Sequence, residues 1–346
     1  MRNKTKPRLH PSDTGPVHRA TRPLPERKEE LHPRNRFNRA YDFARLVEAH
    51  FGLKRHVVRN RYGHESVNYA DPSAVKALNR ALLADAYGLK WDLPPGRLCP
   101  AVPGRLDYLH HLADLLAEDA REGGPVSILD VGTGANCIYP LVGASEFGWR
   151  FVGVDVDTAA VRWARKLLAA NPATAARIEL RVQPSRDRFF RGVIGADERF
   201  DATVCNPPFH ASAAAAAAGT RRKAENLRGR AAAAVAPAHA GVAGELWCPG
   251  GEAAFLRGMI RESAAIGARC RWFTALVSRS DHLDMLYRVL EYARATRVRT
   301  IAMAHGAKRS RILAWTFRPS DVSAGRGRAS EISTTQKQPA ESIEQR

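Results

Sequence analysis

Between Val126 and Phe317, short apolar segments alternate with amphipathic helix-length segments, and few folds accept that order. Val126–Val131, Phe151–Asp155, Ile178–Val182, Phe200–Cys205 and Trp272–Val277 read as strands. Ile138–Phe147, a segment from Asp157 or Thr158 to Leu168, Glu252–Ile266 and Leu283–Tyr292 read as helices between or after them. Val298–Met303 and Ile312–Phe317 pair as a hairpin across His305-Gly306. Strands that alternate with helices predict an α/β fold: a mostly parallel seven-stranded, Rossmann-like sheet, covered on both faces, with an antiparallel terminal hairpin.

The rest of the chain flanks that unit. Residues 1–36 are rich in Pro, Arg, Lys and His and lack periodicity, which predicts a basic disordered arm. Residues 37–121 read as a helical N-terminal substrate-recognition region. Asp71-Pro72 supplies a cap and first-turn proline, and Leu106, Leu109, Leu112 and Leu115-Leu116 recur at helical spacing. Leu98 to Gly104 reads as a rigid linker between the two helical segments. The α/β unit then covers 122–318, and 319–346 reads as a disordered polar tail.

Charge narrows the partners. Lys and Arg total 54 against 35 Asp and Glu, a net charge of +19, which points to a polyanion and most simply to nucleic acid. No apolar run reaches the length of a membrane span, and no leader pattern follows the basic start, so a cytoplasmic protein without membrane contact is expected. The cysteines are odd in number, five, and form no Cys-x-x-Cys pair, so reduced thiols and no metal site are expected.

Two motifs carry chemistry. Phe200 to Cys205 runs into Asn206-Pro207-Pro208-Phe209, a strand ending in a stiff polar turn. The prolines fix the backbone and remove two amide donors, leaving carbonyls as acceptors. Asn206 adds an amide, and Phe209 adds a flat face. Together they suit a planar molecule bearing an amino group; an adenine and an amide side chain both qualify. The other motif follows the first strand, in Asp130-Val-Gly-Thr-Gly-Ala-Asn136. Gly132 and Gly134 permit a tight turn with close backbone approach to a ligand. Cys137 stands where a dinucleotide fingerprint has its third glycine, and no P-loop lysine is present. Asp155, 23 residues after Gly132, ends the second strand at the spacing from which an acid reaches ribose hydroxyls. Asp157 is the better cap for the following helix. Asp130 braces the glycine turn or meets a methionine ammonium. An adenosyl donor without a pyrophosphate, S-adenosylmethionine, fits this set better than NAD.

At this point the chain resembles the RlmF family of 23S rRNA adenine-N6 methyltransferases, relatives of the methyltransferase-like enzymes that methylate adenine in structured RNA. The resemblance rests on Leu31-His-Pro-Arg-Asn-Arg36, Ala74-Val-Lys-Ala-Leu-Asn79, Leu98-Cys-Pro with Val102-Pro-Gly-Arg-Leu-Asp-Tyr108, Gly134-Ala-Asn-Cys-Ile-Tyr-Pro-Leu141, Cys205-Asn-Pro-Pro-Phe-His210, Glu245-Leu-Trp-Cys248 and Ala314-Trp-Thr-Phe317. It spans about residues 31–318. It implies a class I methyltransferase fold, S-adenosyl-L-methionine as donor, and one adenine of 23S rRNA or the assembling large ribosomal subunit as acceptor. By motif, Arg105 contacts the donor carboxylate, Gly132 lines the methionine, Asp155 meets the ribose, and Asn206 touches the methyl donor's surroundings and the target amine. Gln183 to Arg186 meets the donor adenine. Many family members carry Glu where this chain has Asp155, which shortens the reach to the ribose.

The expected mechanism needs no metal. Asn206 and the Pro207 carbonyl accept N–H bonds from the amine and Phe209 stacks on the base, which must be flipped or unpaired. Residues 210–250 form an Ala/Arg-rich insertion, and Arg221, Arg222 and Lys223 are its candidate RNA contacts. Arg34 and Arg36 are further phosphate-binding candidates. Two rivals stay open: methylation of a protein glutamine amide, and a catalytically silent RNA-binding assembly factor.

Overall fold

The computed structural model describes residues 30–119, 123–212, 214, 247–305 and 308–319. The basic arm before residue 30, the tail after 319, and Arg221, Arg222 and Lys223 lie outside the described residues.

Strands β3 (Ser127–Val131), β4 (Arg150–Asp155), β5 (Ile178–Val182), β6 (Phe200–Cys205), β7 (Cys270–Val277), β8 (Arg297–His305) and β9 (Lys308–Thr316) form one sheet. Its order is β5-β4-β3-β6-β7-β9-β8. The first five are parallel, and β9 pairs antiparallel with both β7 and β8. This is the expected seven-stranded sheet with an antiparallel terminal hairpin.

Alternation along each strand divides two cores. Ile128, Phe151, Ala202, Val204 and Trp272 face one apolar layer. Leu129, Val152, Val154, Phe200 and Phe273 face the other. The first layer is completed by α2 (Pro72–Tyr87), α3 (Val102–Ala117), α4 (Ile138–Phe147) and α5 (Thr158–Ala169), preceded by α1 (Phe43–Ala49). After the single turn α6 (Pro172–Ala175), helices α7 (Gly251–Ala265) and α8 (Leu283–Tyr292) close the second layer through Leu256, Met259, Ile260, Leu286 and Leu290. Burial on both faces explains why these strands read as nearly continuous apolar runs.

The N-terminal region departs from its expected form in three ways. It is not wholly helical: Phe51–His56 is a 3-10 turn, and β1 (Val57–Arg59) pairs antiparallel with β2 (Glu65–Val67). The expected linker ends early, because Val102, Pro103 and Gly104 already form the first turn of α3, where proline's missing N–H costs nothing. The arm also stops short of 36. Leu31 and Asn35 are buried. The His32 amide donates to Asp107 Oδ1 at 2.6 Å, and Asn35 Nδ2 donates to the Pro103 carbonyl at 2.9 Å and to Asp107 Oδ1 at 3.1 Å. Residues 31–36 therefore clamp the start of α3. That helix in turn shares the core of the sheet, and Asp119 beyond its end accepts from Trp272 Nε1 and Arg297 Nη1, both at 2.8 Å. Among the described residues no helix is long and apolar enough to cross a membrane.

The α4–β4 contact offers a test of this packing. A Cβ at Gly143 would lie 2.3 Å from Cζ of the buried Phe151 ring. Helix propensity favours alanine over glycine by about 1 kcal/mol, but overpacking costs roughly 1–3 kcal/mol. An approach this close puts the cost at the upper end of that range, so Gly143→Ala should lower stability by about 1–2 kcal/mol in urea denaturation; an unchanged or raised midpoint would contradict the contact.

Candidate active site

Because β3 pairs in parallel with β4 and β6, the residues after all three strands emerge on one edge. Val131 lies opposite Val154 on one side and Cys205 on the other. The glycine turn thus sits between Asp155 and Asn206, where strand order reverses, the usual ligand position in an open α/β sheet.

The turn is tied to β4. The amides of Gly132 and Thr133 both donate to the Val154 carbonyl, at 2.9 and 3.0 Å. Gly132 and Gly134 have φ of +80° and +63°, conformations that favour glycine. Among the described residues, and apart from its chain neighbours, no atom lies within 4 Å of where a Gly132 side chain would begin, so the turn faces open space. Asp155 accepts from the Gly134 amide with Oδ2 and from the Asp157 amide with Oδ1, both at 2.8 Å. Its carboxylate therefore braces the turn, and burial raises its pKa despite those bonds. Asp157 is the helix cap, accepting from the amides of Ala159 and Ala160, as expected.

Two oxygen-bearing side chains on this edge are left wanting. Asp130 is 1% exposed, and neither carboxylate oxygen has a hydrogen-bond partner among the described residues. Burial pushes its pKa up to about 7; the nearby Thr133 hydroxyl opposes the rise, the Asp155 charge adds to it, and the Arg105 guanidinium opposes it. Asn206 Oδ1 is likewise buried without a partner. Polar atoms of this kind are uncommon in folded proteins, and a bound ligand, ion or water is one reason for them. Pro207 is buried beside Asn206, and Phe209 is half-buried.

Further residues position these groups. Arg105, in the first turn of α3, donates to Tyr139 Oη at 3.0 Å and lies 5.5 Å from the centre of that ring. Tyr139, at the start of α4, is buried, and burial raises its pKa to about 12, so it holds Arg105 as a neutral phenol. Beneath Asn206, Tyr108 Oη bonds Thr274 Oγ1 at 2.7 Å, and Thr274 Oγ1 donates to the Thr203 carbonyl. That chain ties α3 and β7 to the end of β6. The sequence assigned no role to these three: Tyr108 and Tyr139 fall within motifs that carry the resemblance, and Thr274 lies inside a strand. Cys205 is no nucleophile: burial, with the Asp130 charge adding, raises its thiol pKa well above the usual range.

The remaining sequence candidates divide. Gln183 does not offer its amide outward: Oε1 accepts from the Ser185 amide at 3.1 Å and Nε2 donates to the Arg191 carbonyl at 3.1 Å. Arg34 and Arg36 are not free phosphate ligands. Arg34 pairs with Asp114, and Arg36 pairs with Glu146 at 2.7 Å while stacking on Tyr87. Nearby carboxylates have claimed both guanidinium groups. The insertion carrying Arg221, Arg222 and Lys223 lies outside the described residues, but its ends meet beside the site. The Cys248 amide donates to the His210 carbonyl at 3.1 Å, next to Phe209.

Comparison with known proteins decides the family. A family described as RNA methyltransferase matches residues 26–319. The chain belongs to that family. It is 51% identical over 310 residues to ribosomal RNA large subunit methyltransferase F of Pseudomonas aeruginosa, with 86% of this chain and 92% of that protein covered. The protein of the same name from Methylobacillus flagellatus is 49% identical over 322 residues, covering 86% and 94%. Among solved structures, the catalytic domain of human METTL16 in complex with MAT2A 3′UTR hairpin 1 superposes with a TM-score of 0.71 at 31% identity, covering 84% of this chain and 96% of that one. The N-terminal domain of human METTL16 in complex with SAH gives 0.67 at 29%, covering 84% and 99%. The sheet is therefore that of a class I methyltransferase, and the chain is an RNA methyltransferase.

Asp130 yields a test. Its carboxyl titrates near 7 when folded, against 3.8 for the ordinary group. The folded state thus holds an extra proton between those values, and the stability contributed by Asp130 falls as pH rises through that window. The melting temperature of Asp130→Asn relative to the parent should be higher at about pH 8.5 than at about pH 5, by on the order of 5 °C. An equal difference at both values would contradict an unpaired buried carboxylate.

Proposed function

We propose that this protein transfers a methyl group from S-adenosyl-L-methionine to the exocyclic N6 of one adenine in 23S rRNA. The observation that carries the reading is the pair of orphaned oxygens, Asp130 and Asn206 Oδ1, on either side of an open glycine turn. They suit the two reactants. Asp130 meets the donor's ammonium and Arg105 its carboxylate. Gly132 and Gly134 admit the methionine portion against bare backbone. Asp155, half-buried with each oxygen keeping a free lone pair beyond its amide bond, accepts from the ribose hydroxyls. When bound, the donor supplies a methyl group already activated on a sulfonium.

The chain's own residues do the rest. Adenine N6 is a poor nucleophile because its lone pair is delocalised into the ring. Asn206 Oδ1 and the Pro207 carbonyl accept its two N–H bonds, which turns the lone pair toward the methyl group. Phe209 stacks on the base, worth about 1–3 kcal/mol. As the nitrogen gains the methyl carbon, the carbon–sulfur bond to the donor breaks, and one of the two N–H protons held toward Asn206 Oδ1 and the Pro207 carbonyl is given up to solvent. Positioning contributes most of the acceleration. A stacked base cannot reach this edge, so the target is flipped or unpaired. Arg221, Arg222 and Lys223, on the insertion whose ends meet at His210, hold the surrounding RNA. The substrate places the protein in the cytoplasm, on rRNA or the assembling large subunit.

Methyl-labelled donor, incubated with rRNA and with protein fractions from a strain lacking the gene, tests the reading. Label should enter large-subunit rRNA as N6-methyladenosine. Asn206→Ala should reduce transfer by at least about 100-fold while donor affinity changes far less. Label in protein would instead favour the glutamine-amide rival. RNA binding without label would favour a silent assembly factor.

A further inference from the structure

A basic cleft lies away from the methyl-transfer edge. The loop after β5 packs on α7 and leaves an open cleft of about 490 Å³. Arg188 and Arg191 line it from the loop, and Arg261 lines it from the helix, with Ser185, Asp187 and Glu262. Several arginines are neutralised by carboxylates: Arg181 by Glu198, Arg271 by Asp201, Arg297 by Asp119. The three lining the cleft are not. Among the described residues none of their guanidinium groups has a hydrogen bond or an ion pair.

Glu262, one of the two carboxylates lining the cleft, is engaged by backbone amides. Its Oε2 accepts from the Phe189 amide at 2.8 Å, and its Oε1 accepts from the amides of Phe190 and Arg191 at 3.0 and 2.7 Å. Those bonds fasten the loop to α7. Phe189 adds a second anchor, edge-on to Phe255 at 4.8 Å and close over Gly258. The arginines therefore stand on a fixed backbone, and the groove they line takes a charge-assisted, forked contact to phosphate. Arg186 and Arg257, both exposed, extend the positive rim.

Position selects the ligand. Helix α7 starts against the catalytic loop: a Cβ at Gly251 would lie 3.2 Å from the Ala211 amide. Gly258 and Arg261 follow 7 and 10 residues later, so the cleft sits roughly 10–15 Å along the helix from that loop. That separation is a few nucleotides of chain. We infer that Arg188, Arg191 and Arg261 form a phosphate clamp for the RNA strand that leaves the target adenine. This rests on RNA being the substrate, and it assigns register along the strand to residues outside the methyl-transfer site.

Arg188→Gln/Arg191→Gln/Arg261→Gln tests it, with binding to a large-subunit rRNA fragment measured across a potassium chloride series. All three positions border open solvent, so folding should survive; Arg288→Gln, exposed on α8, serves as a control outside the cleft. The triple variant should flatten the slope of log Kd against log salt by about 2–3. It should raise KM for RNA and leave donor affinity unchanged, and lysine at all three positions should restore most of the slope. A slope equal to the parent's, or a loss confined to binding of a protein fraction, would overturn the clamp, as would a parent that binds no RNA. Methylation by the parent, read in the same samples, reports separately on the methyl-transfer reading.

Discussion

The pairing of β3 with β6 is the constraint on which the site depends. Parallel strands bring their carboxyl ends to one edge, and reversal of strand order there keeps any crossover helix from covering it. Asp130 and Asn206 then face a gap that the chain does not fill. A buried carboxylate without partners is costly, and the cost appears here as a pKa near neutrality. Folding tolerates it because the strands around it are buried on both faces and contribute far more. The protein stores at this edge an unmet demand for a cation, and beside it an unmet demand for an N–H donor.

The N-terminal region serves the same edge. Asn35 bonds the backbone of Pro103 and the side chain of Asp107, residues that bracket Arg105 by two positions on each side. His32 reinforces the clamp, stacking on His110 at 5.1 Å and bonding Asp114 at 2.9 Å. Arg105 is thereby fixed from outside by the clamp and from inside by Tyr139. The donor and acceptor halves are coupled through α3, since Tyr108, one turn beyond Arg105, reaches β6 through Thr274. The N-terminal region and the sheet thus share one core.

Much of this was legible beforehand. The parallel strands were readable because burial on both faces leaves continuous apolar runs, and their adjacent helices carry clear caps at Asp71 and Asp157. The Asn-Pro-Pro-Phe turn was readable because its chemistry is local. What stayed hidden depended on distance. The clamp joins residues more than 65 positions apart, so residues 31–36 read as part of an unstructured arm. The same blindness made Arg34 and Arg36 look available when Asp114 and Glu146 hold them. Strands β1 and β2 are three residues each, too short for periodicity to register. Within the Gln183 to Arg186 segment expected at the donor adenine, the Gln183 side-chain amide is used inside its own loop, a pairing no local pattern announces.

The most direct measurement is a crystal structure with S-adenosylhomocysteine and the RNA segment that carries the methylated adenine. The target base should be out of its stack, on Phe209, with N6 within hydrogen-bond distance of Asn206 Oδ1 and the Pro207 carbonyl. The homocysteine ammonium should meet Asp130. A target base left stacked in the RNA, or bound with N6 turned away from Asn206, would contradict the assignment of the strand-end turn.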